Sequence, residues 1–515
     1  MSYTLFVKGK ITETTGGDHN VFSNKIISFN ANGIISQTGE ENGVTFNTPL
    51  NAPPPPAIPL NAKCIVQFRP QNNWKGEFGF DWFRIGDTSL DGDVNYETLI
   101  GQYYTKVHTD VTTSRNRDSN SWTPFFKADP QPVNFTANDK LISLKSLYGE
   151  FSYSLENDSS GNPINKKYYK PVLALLPRVP DPANPKKVLE SGEAELKLYI
   201  EFQKLKGKKV KPDKIIFEMD NIIMDASHPL VNIDKHTILK NDLSENITVK
   251  ITCTTSFTDD KDIKVWAITF DEAGKEKIRL SAGVLKMIAP SKKIIKEVVI
   301  VRVRTSANTG DPADLKIFKR NLKQALVIPN ITEKIINLAG DLKKVIIDLS
   351  NNTKNHLNID FNTEFGVTGT NIINEDGGTN NLSLQDYLKL ELERAYPGQF
   401  TKHFKLFFLN NTCDKTGNET VGFGSTAGYS NIKSDFGIMF LGHTETTIGH
   451  ECMHGLGLQH SFFGNSFLYK AQKTDNIMDY SHLEKDKVTG ALSIVLDRVS
   501  TWYWQWDILN PNIIK

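Results

Sequence analysis

Three histidines in one short run, His450-Glu451-Cys452-Met453-His454-Gly455-Leu456-Gly457-Leu458-Gln459-His460, have the types and spacing of a metal site. On a helix, residues four apart project from one face about one turn apart, which suits His450 and His454 as two ligands of one ion. Glu451 falls at the edge of that face, where its carboxylate can reach a water at the metal without ligating. Glycine at 457 ends a helix by turning left-handed and sends the chain back, so that His460 can supply a third imidazole. Three neutral imidazoles leave a tetrahedral Zn2+ one open position, whereas a purely structural zinc site is closed by four protein ligands. The chemistry expected is hydrolysis by a zinc-activated water with Glu451 as general base.

The extended pattern HExxHxxGxxH resembles the zinc signature of the metzincin metalloproteases. HGLGLQHSF followed by NIMDYS is most similar to the pappalysin/cytophagalysin-like and reprolysin-like branches, although Ser461 replaces the acidic residue that some branches carry there. The resemblance spans residues 295–515 in pattern and is specific across 445–481. It implies that His450, His454 and His460 bind zinc and that Asn476-Ile477-Met478-Asp479-Tyr480 is the family's methionine turn. Met478 would then form an apolar floor beneath the imidazoles, and Tyr480 would bind the metal or hydrogen-bond the oxyanion. A strand antiparallel to the rest of the family's sheet lines the cleft, and Gly437–Leu441 is the strand so placed. A protein or peptide substrate would bind extended along it, gaining main-chain hydrogen bonds whatever its sequence.

Several elements must position these groups. Thr444 is expected to cap a helix from about Glu445 to Leu456, with Cys452 about 200° round from His450 and therefore in the core. His443, just before the cap, reads as a capping or solvated histidine, and His482 as a surface one. Strands are expected at 298–305, 344–349, 405–410 and 437–441. Amphipathic helices are expected at 313–327 and from Ser383 to Tyr396, which Pro397-Gly398 would stop. Strands and helices alternate, so residues 295–515 read as an α/β unit. Trp502, Trp504 and Trp506 follow a helical pattern and read as core.

Upstream the pattern differs. Period-2 runs at 194–203, 213–218, 246–254, 263–270 and 279–287 predict a β-sandwich over 188–290, Ig-like in architecture. Cys253 and Trp266 resemble an immunoglobulin core, but no partner cysteine is in place. Residues 1–180 read as a β-rich region, with Pro-rich linkers at 52–59 and 177–187. The fold class expected is therefore multidomain: β-rich N-terminal region, β-sandwich, then an α/β metzincin-like protease domain.

Composition limits the partners. With 60 Lys+Arg against 59 Asp+Glu the net charge is +1, which leaves no electrostatic footprint for nucleic acid. No stretch is apolar enough for a membrane span, and four scattered cysteines make no disulfide framework. The opening residues lack the apolar core and cleavage site of a Sec signal peptide, so synthesis in the cytoplasm is expected. A zinc metalloendopeptidase with large β-rich appendages would suit a leaderless secreted bacterial effector or toxin, with the N-terminal region engaging export machinery. The alternative is a binding or delivery protein whose N-terminal β domains carry the main role, the protease being a narrow-specificity or latent passenger.

Overall fold

The computed structural model describes residue 35 and residues 62–514, apart from 101–136, 158–159, 161, 183, 206, 306–308, 338–339, 351–358, 367–371, 374–381, 414–426, 462–466, 468, 470–472, 480, 482–483, 486–491 and 494–495. Tyr480, His482 and the Pro-rich 52–59 segment thus lie outside the described residues. The chain divides into Met1–Asn61 and Ala62–Lys515, and the elements below belong to the second unit. No described helix is long and apolar enough to cross a membrane.

The architecture is strand-rich, with several sheets and few helices. Its first half is built on β1 (Cys64–Pro70), β2 (Gly79–Asp81), β3 (Val172–Ala174), β4 (Glu193–Phe202), β5 (Lys214–Met219), β6 (Val231–Ile233), β7 (Asn246–Cys253), β8 (Lys261–Phe270) and β9 (Glu276–Ile288). Alternation decides which face is buried. In β4, Ala194, Leu196, Leu198 and Ile200 point inward, and in β7, Ile247, Val249 and Ile251 do. One sheet runs β1-β4-β7-β6 and the other β5-β8-β9-β3-β2. Their apolar faces share one core, in which Phe68, Leu196 and Val249 join Phe217, Val265 and Leu285.

Sheet membership crosses the border expected between residues 1–180 and 188–290. β1 pairs antiparallel with β4 along its whole length, Cys64 opposite Phe202 and Pro70 opposite Leu196. β3 pairs parallel with the end of β9. Each strand satisfies its backbone groups only through these partners, so residues 62–81 and 172–174 belong to the same two sheets as 193–288. The Pro-rich run expected as an extended linker is also different: Val179–Asp181 folds onto Asn184–Glu190 as an antiparallel hairpin. Its register shifts at Pro180, as a strand must where a residue has no N–H to donate.

The second half comprises β10 (Ile294–Arg304), α1 (Lys316–Gln324), β11 (Val327–Thr332), β12 (Ile346–Asp348), α2 (Leu384–Ala395), β13 (Phe404–Leu409), β14 (Gly428–Tyr429), β15 (Phe436–Met439), α3 (Glu445–Gly455) and α4 (Tyr503–Leu509). Its main sheet runs β11-β10-β13-β15-β14, with β12 also on β10. Both faces are covered, which is why β10 and β13 carry the unbroken apolar stretches Val298–Val301 and Leu406–Leu409 rather than alternating ones. Ile300, Leu406 and Phe408 pack with Phe318 and Leu322 of α1 and Ile448 and Cys452 of α3. On the other face Val301, Phe407 and Ile438 pack with Leu384 and Leu388 of α2.

One strand assignment is corrected. The expected antiparallel strand at Gly437–Leu441 is β15, and it runs parallel to β13. Its other side is taken by β14, which is the antiparallel member and ends the sheet among the described residues. β14 thus covers Ile438 and Met439 of β15 and is itself the outermost strand among the described residues.

Candidate metal centre

The helix that carries the histidines is fixed at both ends by its own sequence. At its start the Thr444 hydroxyl accepts from the Thr447 amide at 3.2 Å, and the Thr444 amide donates to the Thr447 hydroxyl at 3.3 Å, a reciprocal cap. At its end Gly457 takes a φ of +108°. The Leu458 amide then donates to the Met453 carbonyl (2.8 Å) and the Gly457 amide to the His454 carbonyl (2.9 Å). This Schellman pair closes the helix and reverses the chain, and three residues later His460 returns over the helix face. Glycine is also required at 455, where a Cβ would lie 2.6 Å from the Phe404 ring.

The three imidazoles meet as expected. His460 Nε2 lies 3.3 Å from His450 Nε2 and 3.2 Å from His454 Nε2. The opposite nitrogens are held by the backbone: His450 Nδ1 donates to the Ile477 carbonyl and His454 Nδ1 to the Leu458 carbonyl, each at 2.8 Å. A carbonyl needs a donor, so these two rings carry their proton on Nδ1 and turn a bare lone pair inward. Both lone pairs face His460 Nε2, and a cation among the three nitrogens would be shared by all of them. Four-coordinate zinc at about 2.0–2.1 Å from each nitrogen places tetrahedral ligands about 3.3 Å apart, which is the spacing found. The donor set and its geometry therefore fit a metal ion, and this is the one group of three or more His, Cys, Asp or Glu among the described residues that could hold one.

Burial supports the same protonation state. It is the largest cause of the fall in each imidazole's pKa, pushing His454 down to about 4 and His450 and His460 well below the ordinary histidine range. At neutral pH all three are unprotonated bases, the form that binds metal. Glu451 is half-buried on the same helix, and it is packed against β14: a Cβ at Gly428 would lie 3.3 Å from Glu451 Cγ. A residue with any side chain there would press on the carboxylate's stem.

The turn after the third histidine forms the wall behind His450. Met478 is fully buried in the core cluster that holds Met453 and Cys452 of the helix. Asp479 holds this turn closed, its Oδ2 accepting from the Lys473 amide (3.2 Å), the Thr474 amide (2.9 Å) and the Thr474 hydroxyl (2.6 Å). Asn476 and Gln505 exchange side-chain hydrogen bonds at 2.7 and 3.2 Å, tying the turn to α4. Arg498, also buried, donates to the carbonyls of Asp479 (3.0 Å) and Ile477 (3.5 Å). Its Nη1 also lies 3.3 Å from His450 Nδ1. That approach does not reverse the tautomer, because the Ile477 carbonyl is nearer to Nδ1 and the guanidinium has two carbonyls to serve.

Cys452 and the three tryptophans take the structural parts expected of them. Cys452 is buried against the sheet, with burial pushing its thiol pKa well up, so it stays protonated. His443, expected to cap the helix or sit in solvent, does neither: it is half-buried, with Nδ1 2.7 Å from the Phe440 carbonyl and Nε2 accepting from the Ala313 amide, while Thr444 alone caps the helix. Trp502, Trp504 and Trp506 are core residues. Arg498, Asp479 and the Asn476–Gln505 pair were not foreseen. Asn476 and Asp479, polar residues inside the turn already singled out, carried a local signal; Arg498 is 48 residues from the histidine it approaches. No protein-family model, curated protein or solved structure matches the chain.

Proposed function

We propose that the protein is a zinc-dependent endopeptidase of the metzincin type. The observation that carries this reading is the convergence of three imidazoles, His450 and His454 buried on one helix with their tautomers held by backbone carbonyls and His460 returning to meet them, with a glutamate directly after the first. The methionine at the turn behind His450 and the HExxHxxGxxH spacing add support. His450, His454 and His460 would hold the ion. Zinc, when bound, polarises the scissile carbonyl and lowers the pKa of a water towards 7. Glu451 accepts that water's proton and passes it to the leaving amine. Tyr480 is assigned a hydrogen bond to the oxyanion by the same resemblance. An extended substrate adds to the outer edge of β14, not to β15, because β14 ends the sheet and runs beside Glu451.

The test is chelation and substitution on one preparation. The purified chain is expected to hold about one zinc and to cleave a denatured protein, to stop on zinc removal and to recover when zinc is restored. His460→Ala should lose both metal and cleavage. Cleavage that persists after zinc removal would end the proposal.

A further inference from the structure

A buried arginine beside the sandwich reaches the turn that backs the metal centre. Arg84, three residues past β2, is 1% exposed, and its guanidinium carbon lies 3.6 Å over the Trp82 ring. Both terminal nitrogens face the carboxylate of Asp475, Nη1 at 3.2 Å from Oδ1 and Nη2 at 3.5 Å from Oδ2. The Nη2 contact is a long hydrogen bond and the Nη1 contact an ion pair without hydrogen-bond geometry, so the attraction between the two buried charges is what holds Asp475 in place. Asp475 is two residues before Ile477, whose carbonyl orients His450.

The intervening backbone transmits that position. The Asp475 carbonyl accepts from the amides of Val499 (2.8 Å) and Ser500 (3.1 Å), and the Ile477 amide donates to the Ser500 carbonyl (2.8 Å). The Ser500 hydroxyl donates to Asp475 Oδ1 at 3.0 Å. Contact from the sandwich side is so close that side chains are excluded. A Cβ at Gly92 would lie 2.6 Å from the Asp475 amide nitrogen, and one at Gly76 would lie 2.5 Å from the Val499 carbonyl. Both glycines have positive φ, +81° and +85°, which other residues adopt only under strain.

We infer that Arg84 is a positioning residue for the metal centre: its ion pair with Asp475 holds the 475–477 backbone so that the Ile477 carbonyl fixes the His450 ring. The inference rests on the reading of His450, His454 and His460 as metal ligands. Outer contacts that orient a ligand are worth 10–100-fold in metal affinity. Removing one partner of a buried pair also leaves a charge uncompensated, so a stability control is needed.

The full chain is titrated with Zn2+ against a chromophoric chelator, and with Co2+ followed by visible absorption. Arg84→Met should bind Zn2+ about 10–100-fold more weakly and shift the Co2+ bands, and Arg84→Lys should recover part of the loss. Val249→Ala, a sandwich-core substitution chosen to lower thermal stability comparably, should keep wild-type affinity and bands. Unchanged affinity in Arg84→Met, or an equal loss in Val249→Ala, overturns the inference. If Arg84→Met does not fold, Ser500→Ala decides: a few-fold loss supports the clasp and wild-type affinity contradicts it. If the wild-type chain binds neither ion, the metal reading itself fails, a result distinct from any effect of Arg84.

Discussion

At the residue scale the site depends on two kinds of group, ligands and the carboxylate beside them, and substitutions should separate them. His454→Ala removes a nitrogen that lies 3.2 Å from its neighbour's and should abolish stoichiometric zinc binding, read by elemental analysis after gel filtration. Glu451→Ala should keep about one zinc per chain yet lower kcat by 10²–10⁴-fold, the range for loss of a general acid–base group. A Glu451 variant that loses the metal would make that residue a ligand rather than a base. The convergence of the three histidines was legible because four-residue spacing and a glycine turn are local properties. Arg498 and Arg84 were not legible, since nothing near them in sequence marks what they approach.

At the element scale the helix and its reversal do the positioning. Gly457→Ala would force an alanine into a φ of +108° and bring its Cβ to 3.3 Å from both Ile508 and Lys433. The expected cost is about 1–2 kcal/mol, read by urea unfolding, together with weaker zinc binding, because the same turn returns His460. A stability loss with unchanged zinc affinity would show that His460 is placed by something other than the turn. The limits of α2 and α3 were legible because Ser383 and Thr444 cap their own helices. Strand direction was not. β15 reads as a buried strand from its composition, yet whether it runs parallel or antiparallel depends on which chain segment lies beside it. The two-residue β14 that takes the antiparallel place is too short to show a pattern.

At the scale of the whole molecule, the sandwich and the α/β part are built into each other. Val499 lies in the sandwich core, while Phe83, Tyr96, Val172 and Ala174 lie in the cluster that packs under the metal helix. Gln324 at the end of α1 donates to the Val499 carbonyl and accepts from the Thr501 amide, each at 2.8 Å. Calorimetry of the zinc-loaded protein should therefore show the sandwich and the α/β part unfolding in one endotherm; two, with zinc lost in only one, would contradict this joint core. The period-2 strands of 193–288 were legible, but their partners from 64–81 and 172–174 were not, because long-range pairing leaves no mark between them. The shared region also sets a pH dependence. Asp81 is buried, with Oδ2 accepting from the Tyr148 hydroxyl (2.5 Å) and the Tyr503 amide (2.7 Å) while Oδ1 has no hydrogen-bond partner. Burial pushes its pKa up to about 6 against the nearby Arg84 charge. Its folded pKa exceeds its unfolded one, so its contribution is full only below the ordinary carboxylate pKa, falls as pH rises above it and is lost by the time pH passes 6. Relative to Asp81→Asn, the wild-type protein should lose about 2 kcal/mol between pH 4 and pH 7. Parallel stability curves for the two proteins would refute the shift.

The central claim is that this chain hydrolyses peptide bonds with Glu451 as base at a three-histidine zinc site. The most direct measurement counts new amino termini in a denatured proteome treated with zinc-loaded wild type and, in parallel, with zinc-loaded Glu451→Ala. The account predicts many new termini from the wild type and essentially none from the variant at equal zinc content. Equal numbers from both, or none from a wild type holding its zinc, would contradict it.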